Sequence, residues 1–204
     1  MNFRRWAVSL LAATGFVIAT TAQASAQTNG RDMGDAEGEE FACVYSALMD
    51  LDDDAYFNVV DAYITEVTEG DLYESAVSVI MPVVEDCADQ HNWSSDQQEI
   101  AMTMGIAGTV ADAIESYFLD EGFTDDDLDD IISLVDTMPD EDVYNFLAED
   151  WRRNADFKQT VTAHLKGKGV EGDAELVERG MVLLESYLIG MYQGEKWLAL
   201  KDES

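Results

Sequence analysis

Only two cysteines, two histidines and two prolines occur in the 204 residues, and each scarcity excludes something. No C-x-x-C pair exists, and His91 and His164 stand far apart in sequence. Zinc-finger spacing, a thioredoxin-like redox motif and a local Cys–His pairing are therefore absent. No G-x-S-x-G elbow offers a serine nucleophile. "GKG" at 167–169 has neither the glycine spacing nor the Ser/Thr of a phosphate-binding loop. The E-x-x-H signature of di-iron helical bundles is missing as well. Long apolar runs are lacking after the N-terminus. The longest, "AVSVIMPVV" at 76–84, is about half the roughly 20 residues a membrane-spanning helix needs.

The largest absence is of positive charge. From Asp32 to Trp151 there are 34 Asp and Glu and not one Lys or Arg, whereas 9 acidic and 8 basic residues follow Arg152 onward. The formal charge of the whole chain is -32. A field of that sign repels nucleic acid and anionic lipid, and it strains the compact state through self-repulsion. Cations, or a basic protein or peptide partner, are the expected counterparts.

What is present begins with "MNFRRWAVSLLAATGFVIATTAQASAQ", where Arg4 and Arg5 precede an apolar run that closes on Ala24-Ser25-Ala26. This reads as a secretory signal peptide over 1–26, cleaved after Ala26, and it places the protein in the periplasm or outside the cell. Removing the two arginines takes the charge from -32 to -34. Residues 27–38 read as a disordered acidic leader. In an exported chain Cys43 and Cys87 are expected to be bridged rather than to serve a metal or redox role. Closing a loop of roughly 45 residues contributes about 4 kcal/mol in the chain-entropy model.

From 39 to 204 the apolar spacing is helical throughout, and a single all-α domain of about seven helices is expected. The segments fall at about 39–50, 53–69, 72–90, 96–121, 125–138, 140–150, 155–166 and 174–200. Asp52, Asp71, Ser94, Thr124 and Asp140 stand where helix caps are needed. Pro82 inside the third segment predicts a kink or short break. The bridge would clamp the first three helices into one unit. The stripe Ala101, Gly105, Gly108 and Ala111 predicts close helix packing, and Gly180, Gly190 and Gly194 mark places where another helix could cross the last one. Met102, Met104, Met181 and Met191 fit core packing better than a binding groove. The basic segment 151–168 is expected to dock on the acidic helices.

Two acidic stretches carry the metal question. Asp50, Asp52, Asp54 and Asp61 take places one, three, five and twelve of a would-be calcium loop, and so do Asp125, Asp127, Asp129 and Asp136. A calcium loop of this kind needs Gly at place six and Glu at place twelve. The sixth places are Ala55 and Asp130, and both twelfth places are Asp. Helix starts explain the same residues: carboxylates there meet unpaired amide hydrogens and the positive end of the dipole. The reading is therefore no specific metal and no cofactor, with weak, diffuse binding of Ca2+ or other divalent cations.

The functional expectation is an exported, non-catalytic helical protein that binds a protein or peptide partner, or holds cations loosely. The disulfide-paired helical layout with "IMPVVEDCADQHN" at its second cysteine is similar to small periplasmic acid-stress chaperones over about residues 41–92. That resemblance implies an acid-responsive alternative: full protonation of the carboxylates would swing the charge from -34 to about +11 and loosen the packing. A carboxylate-based hydrolase is the remaining alternative, and it requires a deep pocket with converging acids.

Overall fold

The computed structural model describes residues 40, 42–69, 73–139, 143, 155–170 and 174–202. Residues 1–39, which hold the expected signal peptide and leader, the caps Asp71 and Asp140, and the 140–150 segment apart from Val143 lie outside the described residues. Within them the chain is helical: α1 Cys43–Met49, α2 Asp53–Glu69, α3 Tyr73–His91, α4 Ser95–Asp120, α5 Asp125–Ile132, α6 Leu134–Thr137, α7 Ala155–Gly167 and α8 Ala174–Asp202. No strand occurs among the described residues.

The helix starts follow from short polar side chains. Ser94 accepts from the Gln97 amide at 3.3 Å while Gln97 Oε1 accepts from the Ser94 amide at 2.9 Å. Thr124 and Asp127 repeat this reciprocal box at α5. Asp52 accepts from the Ala55 amide at 2.9 Å, at the third position of α2. The stops are equally local. Asn92 (φ 53) and Gly122 (φ 95) adopt left-handed backbone, which Asn tolerates and Gly adopts without steric cost. The Trp93 amide then reaches back to the Ala88 carbonyl at 3.1 Å, and Phe123 to Phe118 at 3.0 Å. These are the six-to-one bonds of a Schellman stop.

Two expectations are corrected. α3 runs unbroken through Pro82. The ring stands on the exposed side, while Ile80, Val84 and Cys87 keep the opposite side buried, so packing holds the helix across the lost hydrogen bond. The segment expected over 125–138 is two helices. Ser133 separates them, its hydroxyl donating to the Asp130 carbonyl at 2.8 Å, the kind of local bond that competes with the helix ladder. Met138 is extended (ψ 137), as a residue before proline must tend to be.

Two apolar clusters make up the core. One gathers Val44, Leu48, Val59, Ile80, Val84, Cys87, Trp93, Ile100, Met104 and Trp197. The other gathers Tyr45, Ile114, Phe118, Leu128, Ile131, Leu165, Met181 and Leu184 with their neighbours. The start of α4 and the end of α8 lie in the first cluster, and the end of α4 and the start of α8 in the second. The two long helices are therefore antiparallel, and they form the most extensive helix pair of the fold. The Cys43–Cys87 disulfide, with Cα atoms 6.0 Å apart, ties α1 to α3.

The small-residue stripe is where helices meet most closely. A Cβ placed on Gly105 would stand 2.5 Å from Val44 Cγ1 and 3.2 Å from the Tyr45 backbone nitrogen. At Gly180 the nearest atom would be Leu165 Cδ1 at 3.2 Å, the free end of a side chain. Gly105→Ala is thus expected to lower stability by about 1–3 kcal/mol, the usual cost of overpacking. Gly180→Ala should cost clearly less, because a leucine methyl can yield and alanine favours the helix. Denaturant melts of the two variants check the order.

Candidate functional site

The surface carboxylates come first. Asp50, Asp52, Asp54 and Asp61 are all exposed, but they are spread along the chain: Asp50 ends α1, Asp52 caps α2, and Asp61 lies on α2. With a helical rise of 1.5 Å per residue, Asp61 is about 12 Å along the axis from the first residue of α2. In the second stretch Asp125, Asp127 and Asp129 belong to α5 and Asp136 to α6. Asp127 is committed to the cap, accepting from the Thr124 hydroxyl at 2.6 Å and the Thr124 amide at 2.8 Å. These bonds hold its carboxyl below the usual carboxylate range, the hydroxyl contributing most. Among the described residues no three His, Cys, Asp or Glu side chains form a metal-holding group.

Most of the described basic side chains are engaged. Lys158 meets Glu178 at 3.0 Å, Lys168 meets Asp130 at 3.3 Å, and Arg179 meets Glu175 at 2.9 Å. Arg179 also lies over the Tyr117 ring at 4.1 Å and Lys196 over Tyr192 at 4.4 Å. Lys201 reaches both oxygens of Glu40 at 2.8 Å, and Trp93 Nε1 donates to the same carboxylate at 2.9 Å. Glu40 thus joins the end of α8 to the disulfide unit, beside the edge-on Trp93–Trp197 pair. His91 stacks on Trp93 at 5.5 Å, and His164 is exposed in the last turn of α7.

The second group of acids is buried. Asp112, Glu115 and Glu185 are 6%, 2% and 1% exposed. Tyr45 of α1 donates its hydroxyl to Asp112 Oδ2 at 2.8 Å. Tyr187 of α8 donates to Glu115 Oε1. Thr109, one turn before Asp112, donates to the Gly105 carbonyl at 2.9 Å, and its own carbonyl lies 3.5 Å from the Tyr56 hydroxyl. Burial pushes the Asp112 carboxyl upward, against the pull of the Tyr45 hydrogen bond. Burial and then the charge of Asp112 push the Tyr56 phenol up to about 12. The seam therefore joins α1, α2, α4 and α8 through side chains that hydrophobic patterning does not flag. Their signal was the phase of the small-residue stripe, which carries Asp112 and Glu115 onto the same buried side of α4.

Other candidates do not converge. Met104 and Met181 are buried in different clusters, while Met191 is 41% exposed. A cleft of about 180 Å³ lies between Ile64, Ile114, Val182, Glu175, Glu178 and Arg179. It is smaller than the roughly 300–1,000 Å³ of common ligand pockets, and its three charged residues are already in ion pairs.

Tyr187→Phe removes a donor from a buried carboxyl and is expected to cost about 1–3 kcal/mol. Tyr192→Phe, on an exposed ring, should be neutral within about 0.5 kcal/mol. Urea melts at neutral pH read the difference. Comparison of the chain with protein-family models, curated proteins and solved structures returns no match.

Proposed function

We propose that the chain is an exported, non-catalytic helical protein that binds a basic protein or peptide. The observation that carries this reading is the partition of charge. Lys158, Lys168, Arg179 and Lys201, four of the described basic residues on α7 and α8 and in the turn after α7, are held in ion pairs within the fold. Exposed carboxylates line α2, α3, α4 and α5, among them Asp54, Asp61, Glu85, Asp86, Asp89, Asp96, Glu99, Asp125 and Asp129. The same half of the chain leaves Phe57 55% exposed, with Met49 and Met81 each 38% exposed. Aromatic and methionine side chains set among acids suit a cationic, amphipathic partner, because electrostatics steers the approach and apolar contact holds it. The described cleft is small and its charges are paired, which favours binding over hydrolysis. No described helix is long and apolar enough to cross a membrane.

The test is calorimetric titration of the whole chain with a lysine-rich amphipathic peptide, and separately with CaCl2, at about 0.15 M salt. Saturable peptide binding, weakened several-fold by Phe57→Ser, is the expected result, with calcium giving only a shallow, unsaturated heat. A sharp one- or two-site calcium isotherm, or peptide heats that never saturate, overturns the reading.

The exposed carboxylates and the Asp127 cap, both lost on full protonation, favour a second reading, an acid-responsive, chaperone-like protein. That reading requires apolar surface to appear at low pH, measured by dye binding, together with protection of a client from aggregation.

A further inference from the structure

We propose that buried Asp112 makes the α4–α1 junction a proton-operated clasp, stable while the carboxyl is neutral and weakened when it ionises, because the cost of the buried charge exceeds what the Tyr45 hydrogen bond returns. The clasp sits at a junction. Tyr45 belongs to the α4–α8 cluster, while its neighbour Val44 belongs to the disulfide-unit cluster. α1 is also the helix that closes on Gly105 of α4 and is tied to α3 through Cys43. Whatever loosens α1 on α4 therefore loosens the disulfide unit on the long helices, whether or not a partner is bound.

The chemistry of the surroundings decides which state of Asp112 is favoured. Its described hydrogen-bond donor is the neutral phenol of Tyr45. α2 brings Tyr56, whose own ionisation is pushed far above neutrality, so it carries no charge here. α4 itself adds Thr109 and the buried Glu115, and α8 carries the buried Glu185, Ser186 and Tyr187. The carboxylates described on α3 at Glu85, Asp86 and Asp89 are exposed, as are Asp125, Asp126, Asp129 and Asp130 on α5. Arg179 of α8 is held by Glu175 and Tyr117. A buried carboxylate among neutral hydroxyls and other acids is costly.

The direction in pH follows. A carboxyl raised by burial binds its proton more readily in the folded chain than in the unfolded one. Stability is then fully present below the ordinary carboxylate range, and it is lost as pH rises through the raised folded value. Surface repulsion has the same sign but is screened by salt, whereas a buried site is screened much less.

The experiment is thermal unfolding of the whole chain between about pH 4 and pH 8, at low salt and at about 1 M salt, where exposed charges are screened within roughly 3 Å. The expected result is a melting point that falls with rising pH even at high salt. Asp112→Asn, which keeps an acceptor for Tyr45, should remove that salt-resistant part. Tyr45→Phe should move its midpoint upward by roughly one pH unit, because the lost hydrogen bond favoured the ionised form. An Asp112→Asn variant that keeps the original slope, or a Tyr45→Phe midpoint that stays or falls, overturns the clasp. Should either variant fail to fold, the carboxyl carbon resonance of Asp112 in the unaltered chain decides. A titration at or below the ordinary aspartate value sinks the proposal, and one above it upholds it.

Discussion

The close approach of α1 and α8 to α4 is the contact on which the other features rest. Gly105 lets Val44 and the α1 backbone come nearer than any side chain would permit. That approach delivers Tyr45 to Asp112, and it places Cys43 where α3 can meet it through Cys87. On the other side α8 lies antiparallel along the full length of α4, so each end of α4 is sealed by a different apolar cluster. Remove the close packing and the disulfide would still join α1 to α3, but the unit it clamps would have nothing rigid to stand on.

The charge distribution makes sense against this frame. A bundle whose first three-quarters carry almost only acids must assemble against its own field. Two of the acids are used locally, as caps at Asp52 and Asp127, where they accept hydrogen bonds from backbone amides and, at Asp127, from the Thr124 hydroxyl, without any cation. The scarce cations are spent late in the chain, where Lys168 reaches α5, Lys158 reaches along the α7–α8 pair, and Lys201 reaches Glu40 at the far end. These pairs are partly exposed and each contributes little on its own. Their effect is to tie the C-terminal helices to the acidic ones.

Much of the fold was legible because its signals are local. The capping residues of α4 and α5, the stop at Gly122 and the 3.6-residue apolar spacing of α2, α3 and α8 all depend on neighbours within a turn or two. The disulfide was legible from the cysteine count together with the N-terminal apolar run, which made an oxidising compartment the expectation. Two points of local reasoning, the kink or break expected at Pro82 and the single helix over 125–138, show where the balance shifts: α3 is continuous at Pro82, and 125–138 is two helices. Packing outweighed the missing amide in one, and a serine hydroxyl outweighed apolar periodicity in the other. The buried acids were not read. A carboxylate on a helix looks like solvent-facing charge unless its partner is known, and the partners Tyr45 and Tyr187 lie 67 and 72 residues away. Only the small-residue stripe of α4 hinted that its continuation would be covered.

The two acid populations oppose each other as pH falls, and their order sets the protein's response. Asp112, raised by burial, takes up its proton with a gain in stability. Asp127 is lowered by its cap, and the cap of α5 weakens as that carboxyl protonates. Between these events the net charge moves toward zero and self-repulsion fades. Mild acid therefore tightens the bundle before strong acid takes away its caps and reverses its charge. A structure that simply fell apart on acidification would need lowered carboxyls at its buried junctions, where Asp112 is instead raised, while the lowered Asp127 serves only an exposed cap.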